Sequence, residues 1–496
     1  MSVLGLDLGT STCKGVVLSS DGKLLAQKQI AYADAVCVRD MAATIPAECF
    51  WTYTAQVIRA LAAETKNDPI EALAVSSHGE TLIPVDHAGD AVCDAILSMD
   101  RRCAVQSEQL VRRLGQEKIY GLTGSLMHPQ FPVPKVMWLQ EDAPALAGKA
   151  VQYDSACDYI YRKLGFPHVM DYSIASRFGG FDVRKRVWAQ EILDAAGIDG
   201  SVFSEAVCGG TPLGYIPRSI AVPLGLKDCV LAVAGGHDQP CAAIGMGVVK
   251  PGTVTVSAGS YECAVIATDE PLNNSKGMRY GLNSYCHVLP NQAVTLAFFV
   301  SGMMAKWYLD TFCQAEKQLA AACGSNVFEQ MECGIQQEPT GICVTPHIFG
   351  AMNPEWSEHA TAKVIGLTAA ATKTDMYQAV LEGACCELDL NLRVLEKLTN
   401  PVQRLLMTGG GTKSPAWMQM RAEITGKPID VVENGAEASC IGAAILAGVG
   451  ARLFADPWEA NCRIKREIKT YLPQHPQAYK AQKETYLTLH RPDLLD

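Results

Sequence analysis

The sequence predicts an α/β protein made of two similarly built halves. Strands alternate with helical segments up to about residue 248, which is typical of an α/β sheet protein. The first half opens with the strand VLGLDLG, a polar loop TSTCK and the strand GVVLSSDGKLLAQKQIAY, in which Asp21-Gly22 marks a hairpin. Near residue 248 the pattern restarts, and TVTVSAGSYECAVIATDE again indicates a strand, a small polar loop and a strand.

The two opening hairpins set the predicted domain boundary. When Gly259-Ser260 is placed over Gly9-Thr10, the hydrophobic strands on either side also align. This predicts one domain over 1–248 and a second over 249–496, which contains a long helix, the strand RLLMTGG and a polar terminal helix beyond about Gln474. A chance match between two amphipathic hairpins is the alternative, because glycine, serine and threonine are common in turns.

Composition and charge exclude several classes of protein. The 496 residues are 48% hydrophobic and 19% charged, which provides apolar material for large cores. A net charge of -10 and a pI of about 5.6 argue against nucleic acid or an anionic membrane as the main partner. The 19 cysteines form no CxxC pairs and no Cys/His metal spacing, so we expect reduced thiols. Without a basic leader or an apolar stretch of about 18–20 residues, we expect a cytoplasmic protein.

The loop after the first strand carries residues suited to phosphate and magnesium. Asp7 lies in an otherwise apolar strand, where a carboxylate without a partner would be costly. Gly9 allows a tight turn and a close approach to a ligand, while Thr10, Ser11 and Thr12 offer amide and hydroxyl donors. Such a turn can hold phosphate oxygens while Asp7 orients water on Mg²⁺. An ordinary hairpin with a capped aspartate is the alternative.

Glycine-rich segments elsewhere match neither of the common nucleotide motifs. The chain contains no GxxxxGK[ST] and no strand-linked GxGxxG, so a Walker-type or Rossmann-type phosphate site is not supported. The run Gly409–Gly411 instead follows a predicted strand and precedes the helix PAWMQMRAEITG. This placement suits close packing of a flat group, or a helix terminus facing an anion. A simple strand-to-helix turn is the alternative.

The segment AVAGGHDQPCAAIGMGVV contains the strongest candidate for a catalytic residue. A predicted strand over 230–234 ends in Gly235-Gly236, and His237, Asp238 and Gln239 follow together before a helix of small residues. Polar groups placed on glycines at a strand end point into a cleft rather than into a core. A single carboxylate there can take the proton of an attacking hydroxyl. The alternative is that Asp238 caps the helix.

Four motifs, in order along the chain, resemble those of the FGGY carbohydrate kinases. DLGTS lies near the amino terminus, and GG-x-D precedes the helix of small residues. AKVIGLTAAATKTDMYQAVLE fits the second signature of the family throughout. FPVPKVMWLQED fits the first signature less well, because Gln130 and Asp142 occupy its first and last positions. Single motifs of this length are weak, whereas four in the right order are specific.

The resemblance covers nearly the whole chain and implies both a fold and a reaction. The fold is the two-domain sugar-kinase/actin-type ATPase fold, ribonuclease H-like, with a central cleft. The reaction is the ATP-dependent phosphorylation of a hydroxyl of a small sugar or polyol. ATP and Mg²⁺ are the implied cofactors, with sugar and phosphate bound by 1–248 and nucleotide by 249–496. A homodimer is expected from the resemblance alone.

The resemblance also assigns roles to individual residues. Asp238 is the predicted general base, and Asp7 and Asp238 are the predicted residues at the metal. The predicted cofactor-binding residues are Thr10, Ser11, Thr12, Lys14, Gly259, Ser260, Gly302, Gly410, Gly411 and Ser414. The predicted substrate-binding residues are His78, Gly79, Glu80, Asp100, Arg101, Gln130 and Gln239.

The predicted acceptor wall is a hybrid of two specificities. His78 matches xylulokinase-like members, whereas Glu80 matches the glutamate with which glycerol kinases hold a hydroxyl. Glycerol kinases carry an arginine and an aromatic residue where this chain has Gly79 and Gln130, which disfavours glycerol. On the residues alone, the alternatives are that His78 is a buried histidine with its hydrogen bonds satisfied and that Arg101 and Arg102 form a solvated pair.

These patterns favour a kinase for a five-carbon ketose such as xylulose. Glycerol, another polyol or a sugar acid is the alternative substrate within the same family. A non-catalytic nucleotide-binding module of the same fold would not need Asp238 beside Gln239, nor an acceptor wall. A Rossmann-type dehydrogenase is disfavoured because its glycine fingerprint is missing.

Overall fold

The computed structural model describes residues 1–248, 252–432, 435–491 and 494–495. The predicted boundary between the domains falls at 248/249, and residues 249–251 lie outside the described residues. Within the described ranges no helix is both long and apolar enough to cross a membrane. All 19 cysteines are described, and each is a free thiol.

The first half of the chain contains one large sheet surrounded by helices and small sheets. Its strands are β1 (Ser2–Leu8), β2 (Thr12–Ser19), β3 (Leu24–Ala31), β4 (Cys37–Arg39), β5 (Ala42–Ile45), β6 (Ile70–Ser77), β7 (Ile83–Val85), β8 (Ala95–Ile96), β9 (Gln152–Asp154), β10 (Val169–Asp171), β11 (Phe181–Asp182), β12 (Val187–Trp188), β13 (Glu205–Val207), β14 (Pro212–Tyr215) and β15 (Leu231–His237). Its helices are α1 (Ala47–Glu64), α2 (Ala104–Leu114), α3 (Gln116–Thr123), α4 (Pro132–Asp142), α5 (Pro144–Ala147), α6 (Ala156–Lys163), α7 (Tyr172–Ser176), α8 (Gln190–Ala196), α9 (Arg218–Ala221) and α10 (Asp238–Gly245).

The second half contains the other large sheet and the longest helix of the described chain. Its strands are β16 (Thr253–Ala258), β17 (Tyr261–Thr268), β18 (Asn283–Cys286), β19 (Ala293–Val300), β20 (Cys343–Val344), β21 (Val364–Ile365), β22 (Arg404–Thr408), β23 (Ile429–Val432) and β24 (Ile468–Tyr471). Its helices are α11 (Ser275–Arg279), α12 (Gly302–Phe312), α13 (Gln314–Ala322), α14 (Val327–Glu332), α15 (Lys373–Leu398), α16 (Pro415–Thr425), α17 (Ala438–Gly450), α18 (Pro457–Arg463) and α19 (Lys480–Thr488).

The two large sheets share one plan. Their strand orders are β14-β15-β6-β1-β2-β3 and β18-β19-β17-β16-β22-β23-β24. In each sheet the opening strand, β1 or β16, is antiparallel to the next strand of its hairpin and parallel to β6 or β22 on its other side. Beyond these, β15 and β23 continue the parallel part. The duplicated five-strand core confirms the predicted α/β, ribonuclease H-like fold and the structural similarity of the two opening hairpins.

Two helices made of small residues join the halves. Helices α10 and α17 cross so closely that a Cβ added to Gly245 would lie 1.9 Å from the Ala438 carbonyl oxygen. A Cβ on Gly442 would lie 1.9 Å from the Cys241 carbonyl oxygen. Helix α17 also packs on β1 at Gly5, so a helix from the second half of the sequence covers the first sheet. Any larger side chain at these crossings would separate the two helices.

The glycine pair in β15 allows this strand to pack closely against its neighbours. A Cβ on Gly235 would lie 1.9 Å from the Val75 carbonyl oxygen, and a Cβ on Gly236 would lie 2.3 Å from a valine side chain. The ladder between β15 and β6 shifts register here. The Tyr161 hydroxyl accepts hydrogen bonds from the amides of Val75 and Gly235, both 2.9 Å, and donates to the Val233 carbonyl at 2.7 Å. The phenol therefore satisfies backbone groups that the irregular ladder leaves unpaired.

Tyr161→Phe is expected to lower the free energy of unfolding by about 2–4 kcal/mol, because two buried amides and one carbonyl lose their partner. Chemical denaturation measures this loss. Tyr153→Phe is the matched control, since Tyr153 is buried and its hydroxyl makes no hydrogen bond among the described residues. An equal loss in both variants would contradict the bridging role of Tyr161.

Candidate active site

The candidate site lies at the carboxyl ends of three neighbouring parallel strands. Asp7 is the penultimate residue of β1, while His78, Gly79 and Glu80 follow β6 directly, and Asp238 follows β15. Since parallel strands end at the same edge of a sheet, residues far apart in the sequence meet there. The fold thereby brings the predicted base, the predicted metal residue and part of the predicted acceptor wall together.

Asp238 is the first residue of α10. The residue in the N-cap position is His237, whose side chain makes no capping hydrogen bond, so the alternative interpretation of Asp238 as the cap is wrong. The strand also extends to His237 rather than ending at the glycine pair. The Asp238 side chain is 27% exposed, and His237 Nε2 lies 3.3 Å from its Oδ1. That Oδ1 is buried and accepts no hydrogen bond within the described parts of the chain.

The surroundings of Asp238 and Asp7 oppose the ionisation of both carboxyl groups. Burial, together with the charges of Asp7 and Glu80, raises the pKa of Asp238 to about 8, and contacts from Gln239 offset this only in part. Burial also raises the pKa of Asp7 to about 6. Two crowded carboxylates with raised pKa values and an unpartnered oxygen fit a hard divalent cation, which would relieve their repulsion. The donor set therefore fits Mg²⁺ at Asp7 and Asp238.

The two strands beside β1 each place one polar side chain next to Asp7. The predicted loop from Thr10 to Lys14 is too long, because Thr12 already pairs in β2 and only 9–11 form the turn. Lys14 consequently lies directly opposite Asp7 in the ladder. Ser76 Oγ donates to Asp7 Oδ1 at 2.9 Å. Lys14 Nζ also lies 3.7 Å from Glu437 Oε2, which links the hairpin to the start of α17.

Arg177 is a site residue that the sequence analysis missed. Its Nε and Nη2 both donate to Glu80 Oε1, at 2.8 and 2.6 Å, and both side chains are almost fully buried. Burial opposes the ionisation of Glu80, but the Arg177 guanidinium keeps its pKa below the usual value. A Cβ on Gly79 would lie 2.7 Å from Arg177 Cγ and 2.9 Å from His237 Cδ2. Gly79 therefore leaves the space that the arginine stem occupies.

His78 and Lys135 form hydrogen bonds with protein groups next to the predicted acceptor wall. Both ring nitrogens of His78 have protein partners, the Leu8 carbonyl at 2.8 Å and the Thr81 hydroxyl at 2.5 Å. This geometry corresponds to the buried, satisfied histidine considered above, and a role toward substrate stays a prediction. Lys135 Nζ donates to the carbonyls of Glu80 and Leu97 at 2.6 and 2.9 Å. Burial lowers the pKa of this ammonium to about 8.

Asp100 pairs with Arg102 rather than with Arg101. Asp100 is buried, accepts from Arg102 Nη2 at 2.7 Å and also accepts from the Ala43 amide at 2.9 Å. The exposed Arg101 has its Nη1 3.4 Å from His128 Nε2 and forms no ion pair among the residues described. Gln130 is half-buried, and its backbone amide donates to His128 Nδ1 at 3.2 Å. The interpretation of the two arginines as a solvated pair is thus wrong for Arg102.

A buried network positions the start of α10. The His237 amide donates to Ser173 Oγ at 2.8 Å, and that hydroxyl donates to Asp171 Oδ1 at 2.8 Å. His237 Nδ1 lies 2.8 Å from the Tyr285 hydroxyl, and burial lowers the pKa of His237 to about 3. The imidazole is therefore neutral at pH 7 and adds no positive charge beside Asp238.

The predicted nucleotide residues gather at the corresponding edge of the second sheet. The Gly302 amide donates to the Gly259 carbonyl at 3.1 Å, and the Met303 amide donates to the Ser260 carbonyl at 2.9 Å. The glycine run follows β22, and its first residue, Gly409, has a φ of +97° and lies against the carbonyl of residue 258. The structure thus places the hairpin loop of β16 and β17, the start of α12 and Gly410-Gly411 side by side.

A fully buried ion pair fixes this second wall. Glu262, just after the hairpin loop, pairs with Arg421 of α16, with Nη1 to Oε2 at 2.8 Å. Ser301 Oγ donates to the same carboxylate at 2.5 Å, and the guanidinium stacks 4.4 Å from the Trp417 ring centroid. Ser414 caps α16 by accepting from the Trp417 amide at 3.1 Å. Its side chain is therefore committed to the helix, and a contact with nucleotide stays a prediction.

The two walls meet at α10 and α17. Ser439 Oγ, at the start of α17, donates to the Asp238 carbonyl at 3.3 Å. A glycine-lined edge that can hold a nucleotide thus adjoins a carboxylate cluster that can hold a cation and deprotonate a hydroxyl. Two duplicated domains with these features define a nucleotide-dependent phosphotransferase.

Comparison with known proteins identifies the family. The sequence pattern of the FGGY family of carbohydrate kinases matches with its N-terminal domain over residues 2–245 and with its C-terminal domain over 254–451. The chain belongs to the FGGY family of carbohydrate kinases. It is accordingly an enzyme that transfers a phosphoryl group from ATP to an alcohol group of a sugar or polyol. The family therefore decides against the non-catalytic module and the dehydrogenase.

The relatives found do not share one substrate. The chain is 27% identical to a gluconokinase from Bacillus subtilis, over 90% of this chain and 86% of that protein. It is 27% identical to an autoinducer-2 kinase from Klebsiella pneumoniae, over 99% and 94% respectively. It is also 27% identical to a xylulose kinase from Lactococcus lactis, over 98% and 96%.

Solved structures share the fold of the whole chain. A gluconate kinase from Lactobacillus acidophilus superposes with a TM-score of 0.89 at 21% identity, covering 98% of this chain and 97% of that one. A xylulose kinase from the same organism superposes with a TM-score of 0.88 at 21% identity, with the same coverage. At these identities the likeness concerns the fold, which is the predicted sugar-kinase fold.

Asp238→Asn is expected to stabilise the unliganded protein, increasingly so as pH rises from about 4 to about 8. The folded-state pKa of about 8 lies above the ordinary value of 3.8, so between these values the folded protein binds more protons than the unfolded chain, and this carboxyl costs more stability as pH rises. We expect a gain of about 1–3 kcal/mol in the free energy of unfolding at pH 8. Chemical denaturation at several pH values measures the gain.

Asp100→Asn is the matched control, because its carboxylate is paired with Arg102 and its loss should destabilise the fold. A gain for Asp238→Asn that does not change with pH would contradict the crowded-carboxylate arrangement.

Proposed function

We propose that this kinase phosphorylates a hydroxyl of a five-carbon ketose such as xylulose, with Asp238 as the general base. The observation that carries the proposal is the unpaired Asp238 Oδ1. This oxygen is buried and has no hydrogen-bond partner in the described chain, and the charges of Asp7 and Glu80 both act on its carboxylate. A sugar hydroxyl bound there would find an acceptor for its proton while the glycine-lined wall holds the nucleotide.

The proposed mechanism uses the raised pKa of Asp238. In the ionised form, Asp238 accepts the hydroxyl proton as the oxygen attacks the γ-phosphorus, and the proton then resides on its carboxyl group. A carboxylate with a pKa near the working pH is an effective base. Bound Mg²⁺ would neutralise charge on the phosphate oxygens, and Asp7 and Asp238 would hold it. Thr10 and Ser11 of the first loop, with Ser260 of the second, would donate to the phosphates.

The acceptor wall suits a neutral polyhydroxyl compound. Arg177 is neutralised by Glu80, so this buried pair offers hydrogen bonds without a net charge. The amide side chains of Gln130 and Gln239 are half-buried and can pair with further hydroxyl groups. Several hydroxyl-binding groups along one wall favour a five-carbon chain over glycerol. Gly79 supports this preference because the arginine expected there for glycerol would collide with Arg177.

A sugar acid such as gluconate is the second candidate. The observation that favours it is the guanidinium of Arg101, which is exposed beside His128 and pairs with no carboxylate among the described residues. His128 lies beside Arg101, and the charges of Glu80 and Arg177 act on its ring, which supports a position of Arg101 close to the acceptor wall. A substrate carboxylate could therefore pair with Arg101 at the rim of the site.

Asp238→Asn is expected to lower kcat for sugar-dependent ADP release by about 10²–10⁴-fold, because the hydroxyl loses its proton acceptor. Coupled ADP-release assays over ketoses, polyols and sugar acids measure the loss and identify the substrate. Nucleotide affinity, measured by fluorescence titration without Mg²⁺, should change less than about threefold. Retained turnover would exclude Asp238 as the base.

Arg101→Ala separates the two substrate classes. If the substrate is a neutral ketose, we expect KM to change less than about threefold, because no charge is lost from the buried wall. If it is a sugar acid, loss of the charge-assisted pair should raise KM by about 10–100-fold. Steady-state kinetics on xylulose and gluconate measure both. Arg113→Ala is the control, since that exposed arginine donates to the carbonyl of residue 195 outside the site. A large KM effect on a ketose would contradict the placement of Arg101 at the rim.

A further inference from the structure

A second cluster of chemically reactive side chains lies outside the candidate active site, in the second half of the chain. His347 follows β20, Glu387 lies in the middle of α15, and His490 follows α19. All three are buried. The fold brings together three segments that are far apart in the sequence, and the motif analysis gave no role to any of them.

The distances within this cluster suit a single metal ion. His347 Nε2 lies 3.5 Å from Glu387 Oε2, and His490 Nε2 lies 3.9 Å from the same oxygen. One ligand atom from each residue lies within 4.8 Å of the other two. In a tetrahedral site with bonds of about 2.0–2.2 Å, ligand atoms are roughly 3.3–3.5 Å apart. A movement of a few tenths of an ångström to about one ångström would therefore close the three groups around an ion.

Three ring nitrogens of the cluster have no hydrogen-bond partner among the described residues. In the described ranges, His347 Nε2 and both ring nitrogens of His490 make no hydrogen bond. The His490 side chain is 1% exposed and that of His347 is 6% exposed, so water does not readily replace the missing partners. Buried imidazole nitrogens without partners are rare in native proteins. Two of them directed at one carboxylate oxygen indicate a ligand between them.

Other side chains contact the residues of this cluster, as commonly happens around the ligands of a metal site. Glu355 Oε2 lies 3.3 Å from His490 Nδ1, on the side of the ring away from Glu387. The Glu355 carboxylate is itself fixed by the Arg491 amide, 2.7 Å from Oε1. The Tyr486 hydroxyl donates to Glu387 Oε2. Carboxylates behind metal-bound histidines orient the ring and set its tautomer, which is the position that Glu355 occupies.

We propose that His347, Glu387 and His490 bind one divalent transition metal ion of the Zn²⁺ class. Two imidazole nitrogens and one carboxylate oxygen favour Zn²⁺, Co²⁺ or Ni²⁺ over Mg²⁺ or Ca²⁺, which prefer oxygen ligands alone. Three protein ligands leave a fourth position for water. Because the ligands come from the β20–β21 region, α15 and the segment after α19, the ion would tie the chain terminus to the second domain. The site stands apart from the Mg²⁺ proposed at Asp7 and Asp238.

The test uses the full-length protein after treatment with a chelator. Addition of Zn²⁺ should load one equivalent that survives gel filtration, measured by elemental analysis, and should raise the temperature of unfolding. Addition of Co²⁺ should produce the intense visible absorption of a tetrahedral site. Absence of both signals in the wild-type protein would overturn the proposal.

Variants then locate the bound ion. His490→Ala and Glu387→Gln should each abolish the tightly held equivalent, whereas His359→Ala, an exposed histidine of the same half, should retain it. Glu355→Gln should weaken Zn²⁺ binding by about 10–100-fold without abolishing it. Unchanged stoichiometry and Co²⁺ absorption in His490→Ala would place the ion elsewhere and overturn the assignment. The wild-type Co²⁺ spectrum decides the proposal even if a variant fails to fold.

Discussion

The burial of three carboxylates, Asp7, Glu80 and Asp238, at one edge of the first sheet is the constraint on which the rest of the site depends. The sheet places three carboxylates at one edge, where Glu80 forms an ion pair with Arg177 and Lys14 lies opposite Asp7. Burial and the neighbouring charges raise the pKa of Asp238 to about 8. A cation and a sugar hydroxyl bound as proposed would offset the cost of this buried charge.

Close backbone packing holds this arrangement in place. Gly235 permits β15 to approach β6, and Tyr161 satisfies the amides that the irregular ladder leaves unpaired. Gly245 and Gly442 bring α10 and α17 into contact, so the helix that begins with Asp238 also touches the second half of the chain. This contact fixes the position of Asp238 relative to α17 of the second half of the chain. The small residues at these positions allow the backbones to pack closely.

The sequence predicted the features that depend on local patterns. The strand-loop-strand pattern recurs in each half, so the duplicated sheets and the fold could be predicted, and ordered motifs pointed to Asp238. Arg177 could not be found in this way, because it reaches Glu80 only through the tertiary fold and no spacing marks it.

His490 was missed for a similar reason. The tail looked polar and without a motif, whereas its buried side shows only when α19 packs on α15. The boundary of the first loop was wrong because strand pairing, not polarity, decides where Thr12 belongs.

The central claim is that Asp238 accepts the proton of the attacking sugar hydroxyl. A crystal structure with a non-hydrolysable ATP analogue, Mg²⁺ and D-xylulose tests it most directly. We expect one sugar hydroxyl about 2.6–3.2 Å from an Asp238 carboxylate oxygen, with the hydroxyl oxygen directed at the γ-phosphorus. A complex in which the hydroxyl nearest the γ-phosphorus contacts another side chain, with Asp238 out of hydrogen-bond reach, would contradict the claim.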